Sequence, residues 1–201
     1  MWSVATRPKG PRRSCGESQA HGCGRPAFEG QIIMLDETDG LPLDLPAAVQ
    51  DLLKQAGQSW HNEAEAEAKV LEALALAPDS LATRIGAYKF YFYRHRLDEA
   101  LPHALSCVAF AAKALGLTED WRRIAPQDAA FVGTVVTLGP LPKLLMQTLI
   151  ASGYVMARLG RIAEAEEALT KVMELDPTDR LGAGRMLAVV RRGGAEPDDT
   201  L

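Results

Sequence analysis

The stretch from Met146 to Asp179 constrains the fold of this chain more than any other. It runs Leu149-x2-Ser152-Gly153-x2-Met156, turns at Leu159-Gly160-Arg161, continues through Ala165-x3-Leu169 and closes on Asp176-Pro177. Apolar residues recurring at three- and four-residue steps specify two amphipathic helices joined by a short turn. Pro177 cannot continue the second helix. The same signal recurs upstream, over Ala66 to Pro78 and at Leu97-Asp98-Glu99-Ala100. One helical hairpin cannot bury both of its faces, so repeated hairpins must stack.

Helix-period patterning extends from Leu45 to Val190. It predicts a first helix pair over about 47–60 and 63–76, a second over about 81–94 and 97–115, and a third over about 142–159 and 162–175. Pro46 suits a helix start. Glu63 and Glu65 suit the positive end of the second helix, with Ala66, Val70, Leu71, Ala73 and Leu74 as its inward face. Ala100, Ala104 and Cys107 fall on one side of a helix, where small groups let a neighbour approach closely. Gly116 can end that helix in the left-handed conformation. Thr178 can cap a final helix through about Arg192.

These residues at this spacing resemble the tetratricopeptide repeat (TPR), a helical hairpin of about 34 residues. The resemblance implies an all-α fold, a right-handed superhelix of stacked antiparallel helix pairs. Its repeats fall at about 47–80, 81–115 and 142–179, with a capping helix at 179–192. The chain departs from the family at Lys54 and Tyr88, where a small residue is preferred, at Gly57, where tyrosine is preferred, and at Ala112, where proline is expected. Ala100 and Ala165 lie close to two repeat lengths apart, so 117–141 has room for a degenerate repeat. Within it, Thr118 to Ile124 reads as a short helix capped by Thr118. Gly139-Pro140 is a turn signal, and a simple connector fits the segment equally well.

The 201 residues are 47% hydrophobic and 24% charged, ordinary for a globular domain. A net charge of −4 does not argue for nucleic acid. No apolar run approaches the roughly 20 residues that span a bilayer. Three cysteines do not suggest a disulfide framework, and a reducing cytoplasm fits best.

Residues 1–33 differ from the rest: rich in Gly, Pro, Arg and Ser, with five basic groups against two acidic ones. Such composition buries too little apolar surface to offset its ordering entropy. It is either a disordered tail or a stretch upstream of a start at Met34. Its Gly and Pro content spoils the amphipathic helix of a transit peptide. Cys15, His21 and Cys23 lack a zinc-site spacing and a fourth ligand. Residues 193–201 are expected to form a disordered tail.

Tyr88-Lys89-Phe90-Tyr91-Phe92-Tyr93, followed by Arg94, His95 and Arg96, concentrates rings and cations. Successive helical residues turn by about 100°, so these rings cannot all face one core. Matched to the repeat they resemble, Ile85, Lys89, Phe92 and Tyr93 fall on the groove-lining side, as do Gln147, Ile150, Tyr154 and Arg158 from the third hairpin. The resemblance thus implies a groove of Ile85, Lys89, Phe92, Tyr93, Ile150, Tyr154 and Arg158. Its partner would be a protein or peptide with acidic and apolar side chains, not nucleic acid or membrane. The other reading is that the rings fill gaps between helices and the cations are solvated. Chaperone-binding relatives grip a C-terminal carboxylate with lysines and asparagines. Here those places hold Ile85, Lys89 and Tyr154, which disfavours that ligand.

No nucleophile elbow, P-loop or H-E-x-x-H motif occurs. Gly182-Ala183-Gly184 lacks a preceding strand and a third glycine. Cys107, on a small-residue face, reads as core rather than nucleophile. Glu164, Glu166 and Glu167 read as a solvated helix start. With no such motif in view, what the resemblance implies is a non-catalytic interaction scaffold, and no cofactor or metal is expected. The Tyr88–Ala104 stretch also resembles small repeat proteins that accompany nitrogen-fixation genes in proteobacteria. That implies, as an alternative, an accessory or assembly factor, a holding chaperone for a bacterial enzyme system. A small enzyme or ligand-binding bundle would need a closed polar pocket near His95, His103 and 117–141.

Overall fold

The computed structural model describes residues 45–128, Phe131 and 139–193. The readings of 1–33, of a start at Met34, of the Cys15/His21/Cys23 set and of the tail beyond 193 lie outside the described residues. Within them are seven α-helices and no strand. The helices are α1 (Ala47–Gln58), α2 (Glu63–Leu76), α3 (Leu81–Tyr93), α4 (Leu97–Ala114), α5 (Pro140–Arg158), α6 (Ile162–Leu175) and α7 (Ala183–Arg191). The chain is all-α. Each helix packs on the next in sequence, and α1 also meets α3 and α5 meets α7.

Local chemistry sets the helix starts. The Asn62 side chain accepts from the Glu65 amide, and the Glu65 carboxylate accepts from Asn62 Nδ2 and Ser59 Oγ. The first bond satisfies the Glu65 amide, which the first turn of α2 would leave orphaned, and the other two hold the capping side chains in place. Helices α3/α4 and α5/α6 are joined by turns of matching geometry. His95 (φ 59) and Gly160 (φ 76) take the left-handed conformation, and the next amides, of Arg96 and Arg161, donate back to Tyr91 and Met156 at 2.9 Å each. Arg96 then forks onto Glu99 at 2.6 and 2.5 Å, and Arg161 onto Glu164 at 2.7 and 2.6 Å. One hairpin design is used twice.

Small side chains hold the interior together. Ala66, Ala100, Ala104, Cys107, Ala111, Ala165 and Ala168 are fully buried, so neighbouring backbones lie close. Gly153 on α5 sits against Leu169 and Ala165 of α6. A Cβ there would come within 3.0 Å of Leu169 Cγ. Helix α5 is apolar on nearly every side and buried by α4, α6 and α7. Its Thr148 and Ser152 hydroxyls donate to carbonyls one turn back, at 2.8 Å each, so they bury no unpaired donor.

Three expectations are corrected in detail. Leu71 is 51% exposed rather than inward, because it lies about 100° around the helix from buried Val70. The final helix starts at Ala183 rather than near 179, since Asp179 (φ 49) and Gly182 (φ 75) leave the helical region. The intervening turn is organised by the buried Asp176 carboxylate, which accepts from Thr178 Oγ1 and the Arg180 and Leu181 amides. In place of the helix expected over Thr118–Ile124, the described residues beyond α4 make a 3-10 turn at Trp121–Arg123, with Asp120 accepting from the Arg122 amide. Trp121 and Ile124 are buried, Arg122 pairs with Glu167 at 2.9 Å and Lys171 donates to the Ile124 carbonyl. Helix α4 packs directly on α5, and the described residues 117–128 are pinned to α6 beside that contact; the rest of the expected degenerate repeat, 129–130 and 132–138, lies outside the described residues.

Candidate functional site

The aromatic run of α3 splits four ways. Tyr88, at 1% exposure, enters the core. Phe90 packs edge-on against Trp60 at 6.0 Å. Tyr91 stacks on His103 of α4 at 5.6 Å and donates to Glu67 of α2. Phe92 and Tyr93 remain at the surface end of the helix, half-buried and 44% exposed respectively.

From there a row of rings runs across three helix ends. Trp60, just past α1, meets Tyr93 at 6.4 Å between centroids. Tyr93 meets Phe92 at 5.6 Å, and Phe92 meets Tyr154 of α5 at 5.9 Å. Arg158 closes the row. Its guanidinium lies 5.6 Å from the Tyr154 ring centre and Nη1 donates to the Tyr154 hydroxyl at 2.6 Å. Every member lies at the C-terminal end of α1, α3 or α5. The negative end of each helix dipole favours cations there. Arg94 accordingly lies 4.4 Å over Trp60 and donates to its carbonyl, with Glu63 3.6 Å away. Arg158 is exposed and bonded to no carboxylate among the described residues.

The expected groove residues therefore fall into two groups. Lys89, Phe92, Tyr93, Tyr154 and Arg158 are at least partly accessible and lie on or beside this row. Ile85 and Ile150, at 5% exposure each, are in the core and can serve only as floor. Gln147 is also buried, at 7%, and its Nε2 has no hydrogen-bond partner, nor has the hydroxyl of Tyr88. Sequence reasoning missed Trp60. It lies beyond the periodic segment of α1, and only its place in a helix-joining turn next to a helix end could have flagged it.

Burial sets the ionisation of the groups around the row. Desolvation pulls the half-buried Lys89 amine below its usual range. It raises the Tyr88 phenol well above its own, helped by nearby Tyr93, Cys107 and Tyr154. The buried Cys107 thiol is pushed up to about 12, so it is a packing group and a poor nucleophile. Beside Lys89 and Tyr93 opens a cleft of about 220 Å³, walled by Trp60, Phe90, Leu53 and Val70. A second cleft of about 330 Å³, between the start of α3 and α4, mixes Arg84 and Lys113 with Asp79 and Glu119. His103 lies against Tyr91 and, at 3.5 Å, Arg84 Nη1, while His95 occupies an exposed turn. No described helix is long and apolar enough to cross a membrane. No group of three or more His, Cys, Asp or Glu that could hold a metal ion occurs among the described residues.

A row of partly exposed rings backed by cations can hold a polypeptide. Rings supply contact area at low entropy cost, and the guanidinium supplies a directed acceptor site. No model of a known protein family matches the chain. No solved structure matches it. A relative in Azotobacter chroococcum mcd 1, described as an uncharacterized 19.8 kDa protein in the nifW 5' region, is 38% identical over 134 residues, which cover 67% of this chain and 74% of the relative. The chain belongs to the family of that Azotobacter protein.

Proposed function

We propose that this protein is a non-catalytic scaffold of the tetratricopeptide-repeat type, acting in the cytoplasm. Its stacked hairpins curve into a right-handed superhelix that holds a protein partner at the Trp60–Tyr93–Phe92–Tyr154–Arg158 row. The observation that carries this reading is the continuity of that row across the ends of three non-consecutive helices. A core needs no such arrangement at a solvent-facing edge, and Tyr93 gains little by lying 44% exposed. The stack orders the row before binding, so association loses little conformational entropy. The partner surface that complements it is apolar with an acidic group facing Arg158. A photo-crosslinking amino acid in place of Tyr93 tests this in source cells. A discrete crosslinked protein is expected at Tyr93 and not at Ile162, also exposed but outside the row. Equal labelling at both positions contradicts the reading.

A second reading is favoured by one observation, the location of the Azotobacter relative in the nifW 5' region. In it the partner is a component of a bacterial enzyme system linked to nitrogen fixation, and the scaffold assists its assembly. A deletion strain is then expected to grow normally on ammonium and slowly on dinitrogen. Equal growth on both overturns this second reading and leaves the first.

A further inference from the structure

The cleft of about 330 Å³ lies at the opposite end of α3 from the ring row, between the α2–α3 turn, the start of α3 and the last turns of α4. Side chains of α3 build that turn. The Thr83 hydroxyl is shared between the Ala77 and Ser80 carbonyls, at 2.7 and 2.8 Å, and Arg84 Nε donates to the Pro78 carbonyl at 2.8 Å. The backbone that carries Asp79 and the guanidinium of Arg84 are thereby held at a set separation. Arg84 Nη1 also reaches His103 Nδ1 at 3.5 Å. A guanidinium has five N–H donors, so these contacts leave most of its fork unfilled.

The charges lining this cleft behave unlike others in the molecule. Arg96, Arg122, Arg161 and Lys171 each close onto a carboxylate at 2.5–2.9 Å. Arg84, Lys113, Asp79 and Glu119 share one cleft, yet none of them is ion-paired among the described residues. Arg84 is only partly exposed, and its charge is felt inwards: desolvation first, and then Arg84, hold His103 below its ordinary range. An anchored guanidinium with an unfilled fork matches a carboxylate. Two cations and two acids cancel, so the complementary ligand is neutral overall and carries both charges. Buried Leu81 and half-buried Phe110 give the cleft an apolar wall. Its volume is at the low end of the roughly 300–1,000 Å³ of small-molecule sites.

We propose that this cleft binds a free α-amino acid with an apolar side chain. The carboxylate takes the open edge of Arg84 with Lys113 beside it, the ammonium faces Asp79 and Glu119, and the side chain lies on Phe110. The proposal stands apart from the ring row and from what that row holds.

The test is a nuclear magnetic resonance titration of the full chain with L-phenylalanine and L-leucine. Three controls accompany them: 3-phenylpropanoate, which lacks the ammonium, L-phenylalanine amide, which lacks the carboxylate, and glycine, which lacks the side chain. At least one of the two amino acids is expected to shift the Arg84 Nε–H and the Phe110 and Lys113 amides saturably. Each singly charged analogue is expected to bind about tenfold more weakly than L-phenylalanine, the scale of a lost charged hydrogen bond, and glycine not to saturate. Arg84→Gln keeps a donor for the Pro78 carbonyl and is expected to abolish saturation. Lys113→Gln, at an exposed position near the end of α4, is expected to keep its unfolding temperature and to bind about threefold more weakly; it decides the matter if Arg84→Gln fails to fold. Saturation by neither amino acid, an analogue that binds as tightly as its parent, undiminished binding by Lys113→Gln, or shifts centred on Trp60 and Tyr93 instead overturns the proposal.

Discussion

Phe92 of α3 and Tyr154 of α5 meet with ring centroids 5.9 Å apart at a 55° tilt, joining two helices with a third between them in sequence. Such ring pairs contribute about 0.5–1.5 kcal/mol each. Deleting a fully buried phenylalanine costs about 3–5 kcal/mol, and Phe92 is only half-buried. Replacing Phe92 and Tyr93 together by alanine is therefore expected to lower stability by about 2 kcal/mol. Helix content should stay near wild type while partner binding is lost. Circular dichroism with thermal unfolding checks the first part. Outright unfolding of the double variant would show that these rings are core.

Arg96 ties three helices together and makes acid stability a readout of that tie. It donates to Glu67 of α2 at 2.7 and 2.8 Å and to Glu99 of α4 at 2.6 and 2.5 Å, and lies 4.8 Å over Tyr91. Its hydrogen bonds and charge hold both carboxyls below their ordinary 4.5. A depressed carboxyl stabilises the fold above its unfolded value and stops doing so as pH falls through its folded value. The difference in unfolding temperature between wild type and Arg96→Ala should be constant from pH 7 to about 5, then shrink as pH falls below 4.5. Denaturation scans across that range decide it. A gap that widens in acid contradicts the assignment.

Gly153 tests the close contact of α5 with α6. An added methyl meets Leu169 Cγ at 3.0 Å and Cδ2 at 3.2 Å. Overpacking of this kind costs about 1–3 kcal/mol, against about 1 kcal/mol returned by helix propensity. Gly153→Ala is expected to be neutral to mildly destabilising. Gly153→Leu, which cannot be accommodated by a small shift, should lose more than 2 kcal/mol in urea unfolding. A stable leucine variant would mean the two helices lie further apart.

His95 carries a left-handed backbone, φ 59, where the matching turn uses Gly160. A side chain there costs about 1–2 kcal/mol, and glycine recovers part of it after its own entropy loss. His95→Gly is expected to raise stability by about 0.5 kcal/mol. The reverse change, Gly160→His, should lower it. Paired urea melts of the two variants check both signs.

The helical framework was legible because periodicity and punctuation agree over most of it. Glu63 and Glu65, the Gly160 turn and Pro177 mark their boundaries chemically, and buried Ala100 and Ala165 mark the contacts. The start of α7 was not legible, because the Asp176 carboxylate builds a turn from backbone amides that any sequence supplies. Nor was the fate of 117–128, where burial of Trp121 and Ile124 depends on α6, distant in sequence. The site was half-legible. Lys89, Phe92, Tyr93, Tyr154 and Arg158 could be placed by register, whereas Ile85 and Ile150 lie too deep. Trp60 joins the row only through the three-dimensional meeting of α1 and α3.

The most direct test of the central claim is a quantitative comparison of proteins retained by the tagged full-length chain in source cells. Wild type and the Phe92→Ala/Arg158→Ala variant are purified in parallel, after both are shown to unfold at similar temperatures. The ring row as a binding surface predicts a specific protein enriched on wild type and reduced at least tenfold on the variant, as expected when two hot-spot contacts are removed. Identical retained proteins at identical abundance would contradict it.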